Sequence, residues 1–325
     1  MNQTPPPVPE YVQNQRPADT WERQLLEKLL MENYREHRKD RLHRWLRLGV
    51  WALLFLMLFF AMTGKSKGGS IAETQSHTAV IDLSGTIDGE NQNADKLIKG
   101  LKNAYKNDHV KGIIIRADSP GGSPVIADVA FTELRRLKAL HQKIPVYVVA
   151  EDVCASGCYY IASAADKIYA NPSSLVGSIG VISSGFGATE LMQKIGVERR
   201  LKTAGSNKGM GDPFSPETPE QMAIWQNMLD EIHAQFISAV KKGRGSALKW
   251  QNDPDVFSGR VYTGSEAQKV GLIDDFGNIY SVSRDVIGAE KLVDYTPQED
   301  FATVMGRKLG VTAKQSLKTL SEPSW

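Results

Sequence analysis

"VKGIIIRADSPGGSPVIADVAFTELRRLKALHQKIPVYVVAE", residues 110–151, reads as a strand, a glycine turn, a helix and a second strand in immediate succession. Residues 110–118 are a β-branched apolar run, as expected of a strand buried on both faces. "SPGGSP" interrupts that run. Residues 125–140 then carry helical apolar spacing, with Ser123 placed as N-cap and Pro124 at the first helical position. Residues 144–151 are apolar again and predict a second buried strand. Two strands joined by a helix of this length form a βαβ unit, whose strands run parallel.

The same alternation continues on both sides. Upstream, residues 78–85 predict a strand and 93–107 an amphipathic helix. Downstream, "ASGCYYIASAADKI" (155–168) reads as a helix, 167–172 and 175–183 as short strands, and about 188–195 as a helix. A long helix follows over 219–242, where Met222, Trp225, Met228, Leu229, Ile232, Phe236 and Val240 recur every three or four residues. "GRVYTGSEAQKVGLIDDFGN" (259–278) closes the domain with a short strand, a helix and a turn. The expectation is one α/β domain over 78–295 with mostly parallel pairing, followed by a polar peripheral tail over 296–325.

The chain has 325 residues, 41% hydrophobic and 23% charged, with a net charge of +2. That balance supports a sizeable core and gives no global attraction to nucleic acid. The basic excess is local, from Arg35 to Arg47, and "LGVWALLFLMLFFAMTG" (48–64) follows it without a charge until Lys65. A span needs about 17–20 apolar residues, and Trp45 and Trp51 suit an interface. Residues 48–64 are therefore expected to cross a membrane as a single helix in contact with lipid. The positive-inside rule places the tail and basic helix of residues 1–47 in the cytoplasm and everything after 64 outside. Residues 65–77 read as a flexible linker.

Three segments could carry chemistry. Ser156 lies where a buried strand turns into a helix, in "EDVCASGCYY" (151–160). That geometry presents a nucleophile at the positive end of a helix, and the Gly157 N–H could meet an oxyanion. A packing turn of small residues explains the same letters. Gly121 and Gly122 sit at a second strand–helix turn and could add oxyanion donors, or serve only the turn. A serine needs a base. None of His77, His109, His141 and His233 lies in a glycine-rich setting. A lysine can replace histidine only when neutral, which desolvation favours. Lys208, in "LKTAGSNKGMGDPFSP" (201–216), is the candidate, although its composition equally suits a solvated loop. Cys154 and Cys158 could pair outside the cytoplasm, but i,i+4 cysteines on one helix fit a disulfide poorly. No Cys/His set has zinc spacing, and "GFGATE" (185–190) lacks the third glycine of a dinucleotide loop, so neither metal nor cofactor is expected.

Taken in order, "DSPGG", "ASGCYYIASAADKIYANPSSLVGSIGVI", "AGSNK" with "SP" shortly after, and "GRVYTGSEAQKVGLID" resemble the SppA family of signal peptide peptidases. The resemblance covers about residues 76–290 and matches the short, single-domain, membrane-anchored form. It implies a ClpP/crotonase-like fold of repeated β-β-α units and a Ser/Lys dyad. By position, Ser156 would be the nucleophile, Lys208 the general base and Ser178 the group orienting the lysine. Gly121, Gly122 and Gly157 would form the oxyanion hole. It also implies a ring- or dome-shaped homo-oligomer with an active site shared between neighbouring subunits, and remnant signal peptides as substrates. Localisation would be a bacterial plasma membrane with the catalytic domain on the extracytoplasmic side. Cys154 and Cys158 depart from the family pattern. The rival readings are a SohB-type peptidase with another role, a crotonase-like acyl-CoA enzyme and a silent membrane scaffold.

Overall fold

The structure, a computed structural model, describes residues 25–29, 31, 44–57, 59 and 75–298. Residues 44–57 form helix α1. Among the described residues, no helix is long and apolar enough to cross a membrane. Residues 58 and 60–64 of the expected span, the linker up to residue 74, and the tail beyond 298 lie outside the described residues. Residues 75–298 belong to one compact unit.

Within residues 75–298, strands and helices alternate. β1 (His77–Ser84), α2 (Asn93–Ala104), β2 (Val110–Ser119), α3 (Pro124–Leu140), β3 (Val146–Ala155), α4 (Gly157–Ala162) and β4 (Lys167–Ala170) follow one another. The chain continues through β5 (Leu175–Gly177), α5 (Thr189–Lys194), α6 (Pro219–Arg244), β6 (Val261–Thr263), α7 (Gly264–Lys269), β7 (Asp275–Phe276), α8 (Ile279–Ser281) and β8 (Leu292–Asp294). The sheet order is β6-β5-β3-β2-β1-β8, with β4 paired to β3 and β7 to β4. Every ladder is parallel except β5 with β6. The α/β class with a mainly parallel sheet is therefore as read from the alternation.

The central strands bury both faces, which is why they read as unbroken apolar runs. Ile113 and Ile115 join the main core with Leu97 and Leu101 of α2 and Leu134 of α3. Ile114 points the other way and packs with Val149, Tyr169, Ile279 and Val282. α3 begins as expected, with the Ser123 Oγ accepting the Ile126 N–H and Pro124 in the first turn.

Four segments differ from the sequence reading. β3 does not stop at Glu151 but runs to Ala155. Its register with β2 shifts between Ala117↔Ala150 and Ser119↔Cys154, so Glu151–Val153 form a bulge. The bulge splits the strand's allegiance: Tyr147–Ala150 pair with β4, while Val153–Ala155 pair with β5. The helix expected over 155–168 is only Gly157–Ala162, because the chain must turn to start β4 at Lys167. Of the strand expected over 175–183, only Leu175–Gly177 pairs. Finally, the apolar stripe of α6 is half used. Phe236 and Val240 are buried, whereas Met222 is 49% and Met228 37% exposed.

Candidate active site

Ser156 is the single residue between β3 and α4. Its φ of 53° and ψ of −123° lie where non-glycine residues rarely go. Two hydrogen bonds hold it there. Its N–H donates to the Gly177 carbonyl at 2.8 Å, and its own carbonyl accepts the Tyr160 N–H at 2.9 Å. Helix α4 is anchored just beyond. The Tyr159 hydroxyl donates to the Leu272 carbonyl at 2.7 Å and that of Tyr160 to Asp128 at 2.9 Å. Burial pushes both phenols well above their ordinary range. The Tyr160 ring also stacks on Phe236 and meets Phe131 edge-on. These contacts fix the helix start, and with it the direction of the turn.

The Gly121–Gly122 turn packs directly on this one. A Cβ added to Gly121 would stand 2.7 Å from the Ser156 Cβ and 2.7 Å from the Gly157 nitrogen. Only glycine permits that approach, at φ values of 102° and 152° for the pair. Ile87 clamps the turn from behind, donating to the Gly121 carbonyl and accepting from Ser123 N–H, both at 2.8 Å. The Gly121 N–H itself donates to the buried Ser119 Oγ at 3.1 Å. Gly121 is one of the expected oxyanion donors, and in this conformation its N–H is engaged with Ser119 as its acceptor. Among the described residues, the N–H groups of Gly122 and Gly157 have none. Gly157 lacks one because it begins a helix. Gly122 lacks one because its bridge with Ile87 is made by the two flanking residues.

Ser178 comes next to Ser156 through strand register. Ala155 pairs with Gly177, so Ser178 and Ser156 stand one step beyond the last pair. Ser178 too has positive φ, 51°, and donates its N–H to the Arg260 carbonyl at 2.9 Å. Lys208 is placed differently. It is exposed, in a turn where its N–H donates to the Gly205 carbonyl at 3.2 Å. Among the described residues, no hydrogen bond joins it to Ser156 or Ser178. Its neighbours Ser206 and Gly209 line a groove of about 950 Å³ with Phe186, Leu201, Met222 and Trp225. Three of the four histidines considered are committed elsewhere: His77 bonds the Tyr295 hydroxyl, His141 stacks on Tyr105, and His233 Nε2 donates to the Ile179 carbonyl at 3.0 Å.

Cys154 and Cys158 form a disulfide, with Cα atoms 5.2 Å apart. The reservation about i,i+4 cysteines assumed one continuous helix. Cys154 ends a strand and Cys158 lies in the first turn of a helix, and the reversal at Ser156 brings them together. Ser119 and Ile87, which hold the glycine turn, were not singled out from sequence. Ser119 lies inside the quoted "DSPGG", but nothing in the letters distinguishes a turn-holding hydroxyl from a solvated one.

The family model for peptidase family S49 matches residues 138–292. Among curated relatives, a Brucella melitensis protein named Na(+)/H(+) antiporter NhaA is 47% identical over 210 residues, 64% of this chain and 28% of that one. A Synechocystis sp. relative is 32% identical over 204 residues, covering 63% of this chain and 71% of that one. The chloroplastic serine protease SPPA of Arabidopsis thaliana is 33% identical over 187 residues, 57% of this chain and 27% of that one. The chain thus spans under a third of the first curated relative it matches.

Proposed function

As the chain belongs to peptidase family S49, we propose that it is a membrane-anchored serine endopeptidase working through a Ser156/Lys208 dyad. The observation that carries this reading is the Ser156 turn, a left-handed serine beside two unengaged N–H donors, Gly122 and Gly157. In this mechanism Lys208, neutral when desolvated, takes the Ser156 proton as the hydroxyl attacks a peptide carbonyl. The two N–H groups hold the oxyanion, the lysine returns the proton to the leaving amine, and water releases the acyl group. Ser178 orients the amine.

Lys208 is exposed in the single chain, and the groove beside it is lined by exposed Phe186 and Met222. This supports a dyad completed when a second copy covers the loop and excludes water. It also favours the homo-oligomeric, ClpP/crotonase-like arrangement implied by the resemblance. The disulfide suits an oxidising compartment, and the apolar 48–64 tract suits an anchor, so the substrates proposed are apolar peptides such as remnant signal peptides met outside the cytoplasm. Residues shared with the antiporter-named relative make up 28% of that protein, and cation exchange is not carried over. The test is cleavage-site mapping on synthetic signal peptides by the detergent-solubilised full chain. Ser156→Ala and Lys208→Ala are expected to abolish cleavage with assembly intact. Near-normal turnover by Lys208→Ala would refute the dyad.

A further inference from the structure

The disulfide brackets the nucleophile. Cys154 and Cys158 lie two residues on either side of Ser156 and are 1% and 0% exposed. Acyl transfer by a serine does not use either sulfur. The position of Cys154 is informative, because it pairs with Ser119 of β2 on one side and Val176 of β5 on the other. Ser119 holds the Gly121–Gly122 turn through its Oγ, and β5 leads directly into Ser178. One end of the disulfide is therefore fixed in the sheet between the strands that carry the oxyanion loop and the lysine-orienting serine. The other end is fixed in α4, next to Tyr159 and Tyr160 with their buried anchors.

Ser156, between these fixed ends, has a backbone that a serine rarely adopts. Two hydrogen bonds and the disulfide oppose its return to negative φ. Such a return would shift Ser156 against the glycine turn it packs on. We propose that Cys154 and Cys158 are positioning residues, their disulfide being a covalent clamp that keeps Ser156 in its reactive conformation and so makes the peptidase redox-dependent. The inference rests on Ser156 being the nucleophile. In the releasing step a dithiol reductant gives up two electrons and two protons, becoming a cyclic disulfide, and the Cys154–Cys158 bond becomes two thiols. Because both sulfurs are buried, the attacking thiolate reaches them only when the turn opens, so release is slow. Reoxidation by a small disulfide reverses it.

The test uses the full chain in detergent, prepared without reductant, with thiols counted by alkylation and mass spectrometry after denaturation. Turnover of an apolar fluorogenic peptide and the rate of Ser156 labelling by a fluorophosphonate are measured before dithiothreitol, after it, and after reoxidation. Expected is a fall of about tenfold to about a hundredfold in kcat and in labelling rate, the scale of an ångström-sized misplacement. KM should stay within about twofold, a split that general loss of structure would not give, and activity should return on reoxidation. The Cys154→Ala/Cys158→Ala double variant should sit at the reduced level and ignore dithiothreitol. Unchanged kcat and labelling in reduced wild type, or in a double variant that melts like wild type, would overturn the proposal. So would free thiols in the unreduced chain. The Ser156→Ala variant separates the two layers: if it labels and turns over like wild type, the nucleophile assignment itself falls and the clamp with it. If it is silent while the reduced wild type keeps full activity, only the clamp falls.

Discussion

The contact between the two turns gives a sharp test in Gly121→Ala. The added methyl would lie 2.7 Å from the Ser156 Cβ, 2.7 Å from the Gly157 nitrogen and 2.8 Å from the Ala155 carbonyl oxygen. Carbon atoms pack at about 3.5–4.0 Å, so one turn must retreat by about 0.8 Å or more. All three neighbours are backbone or Cβ atoms, and no flexible side-chain end can give way. The substitution also places alanine at φ 102°. Strain of this kind costs about 1–3 kcal/mol, and overpacking about 1–3 kcal/mol more. The expected loss of stability is thus about 2–6 kcal/mol. If the chain still folds, a displacement of this size at the proposed nucleophile should lower kcat/KM by about a hundredfold. Gly288→Ala is the control. Its φ is 75°, but no atom lies within 4 Å of the added carbon, so only the left-handed cost of about 1–2 kcal/mol applies and turnover should persist. Thermal melts read the first quantity and fluorogenic peptide kinetics the second. A Gly121→Ala variant within about twofold of wild type would show that the two turns do not act together.

Three further outcomes are expected. Ser119→Ala leaves the buried Gly121 N–H without its acceptor, which should cost about 1–3 kcal/mol in denaturant melts and lower kcat more than it alters KM; an unchanged kcat would argue that the glycine turn holds itself. Arg244→Met removes a buried guanidinium that donates to the Gly271 carbonyl and, at 2.8 Å, to Asp274; Asp274 keeps the Ile168 N–H and partial exposure, so the Gly271 carbonyl left without its donor sets the cost, about 1–3 kcal/mol in the same assay. Glu133, on α3, bonds Arg136 and Lys102, which hold its carboxyl down at about 2. A carboxyl lowered by folding stabilises above its unfolded value and loses that contribution as pH falls through the folded one. The stability gap between wild type and Glu133→Gln should therefore be constant near neutrality and shrink between about pH 4.5 and about pH 2; a gap that persists at pH 2 would contradict the pairing.

The parts of this fold legible in the sequence are those decided by local pattern. Ile113–Ile115 and Val146–Ala150 could only be buried strands, and Ser123-Pro124 could only open a helix. The illegible parts depend on partners distant in the chain. Glu151 and Asp152 look like the end of a strand, and only pairing to β5 reveals that β3 continues beyond them. Residues 178–183 look like a strand, yet Ser178 turns left-handed and the pattern has no ladder to join. The disulfide was hidden because it depends on one residue's φ, which no periodicity reports. At the site, the two unengaged N–H donors could be anticipated from the glycines. The bond from the Gly121 N–H to Ser119 could not, because it depends on where one hydroxyl points.

The register that sets Ser156 and Ser178 each one step beyond the last pair, Ala155 with Gly177, rests on a three-residue strand. β5 holds its register to β3 through Leu175, Val176 and Gly177 alone, and to β6 through the same three residues. A strand presents alternate residues to opposite faces, so a slip of one position would replace Ser178 with buried Ile179. What this segment must preserve is thus a count as much as a composition. Within Leu175–Gly177, deleting one residue should therefore lower peptide turnover more than a substitution such as Leu175→Val that keeps the count.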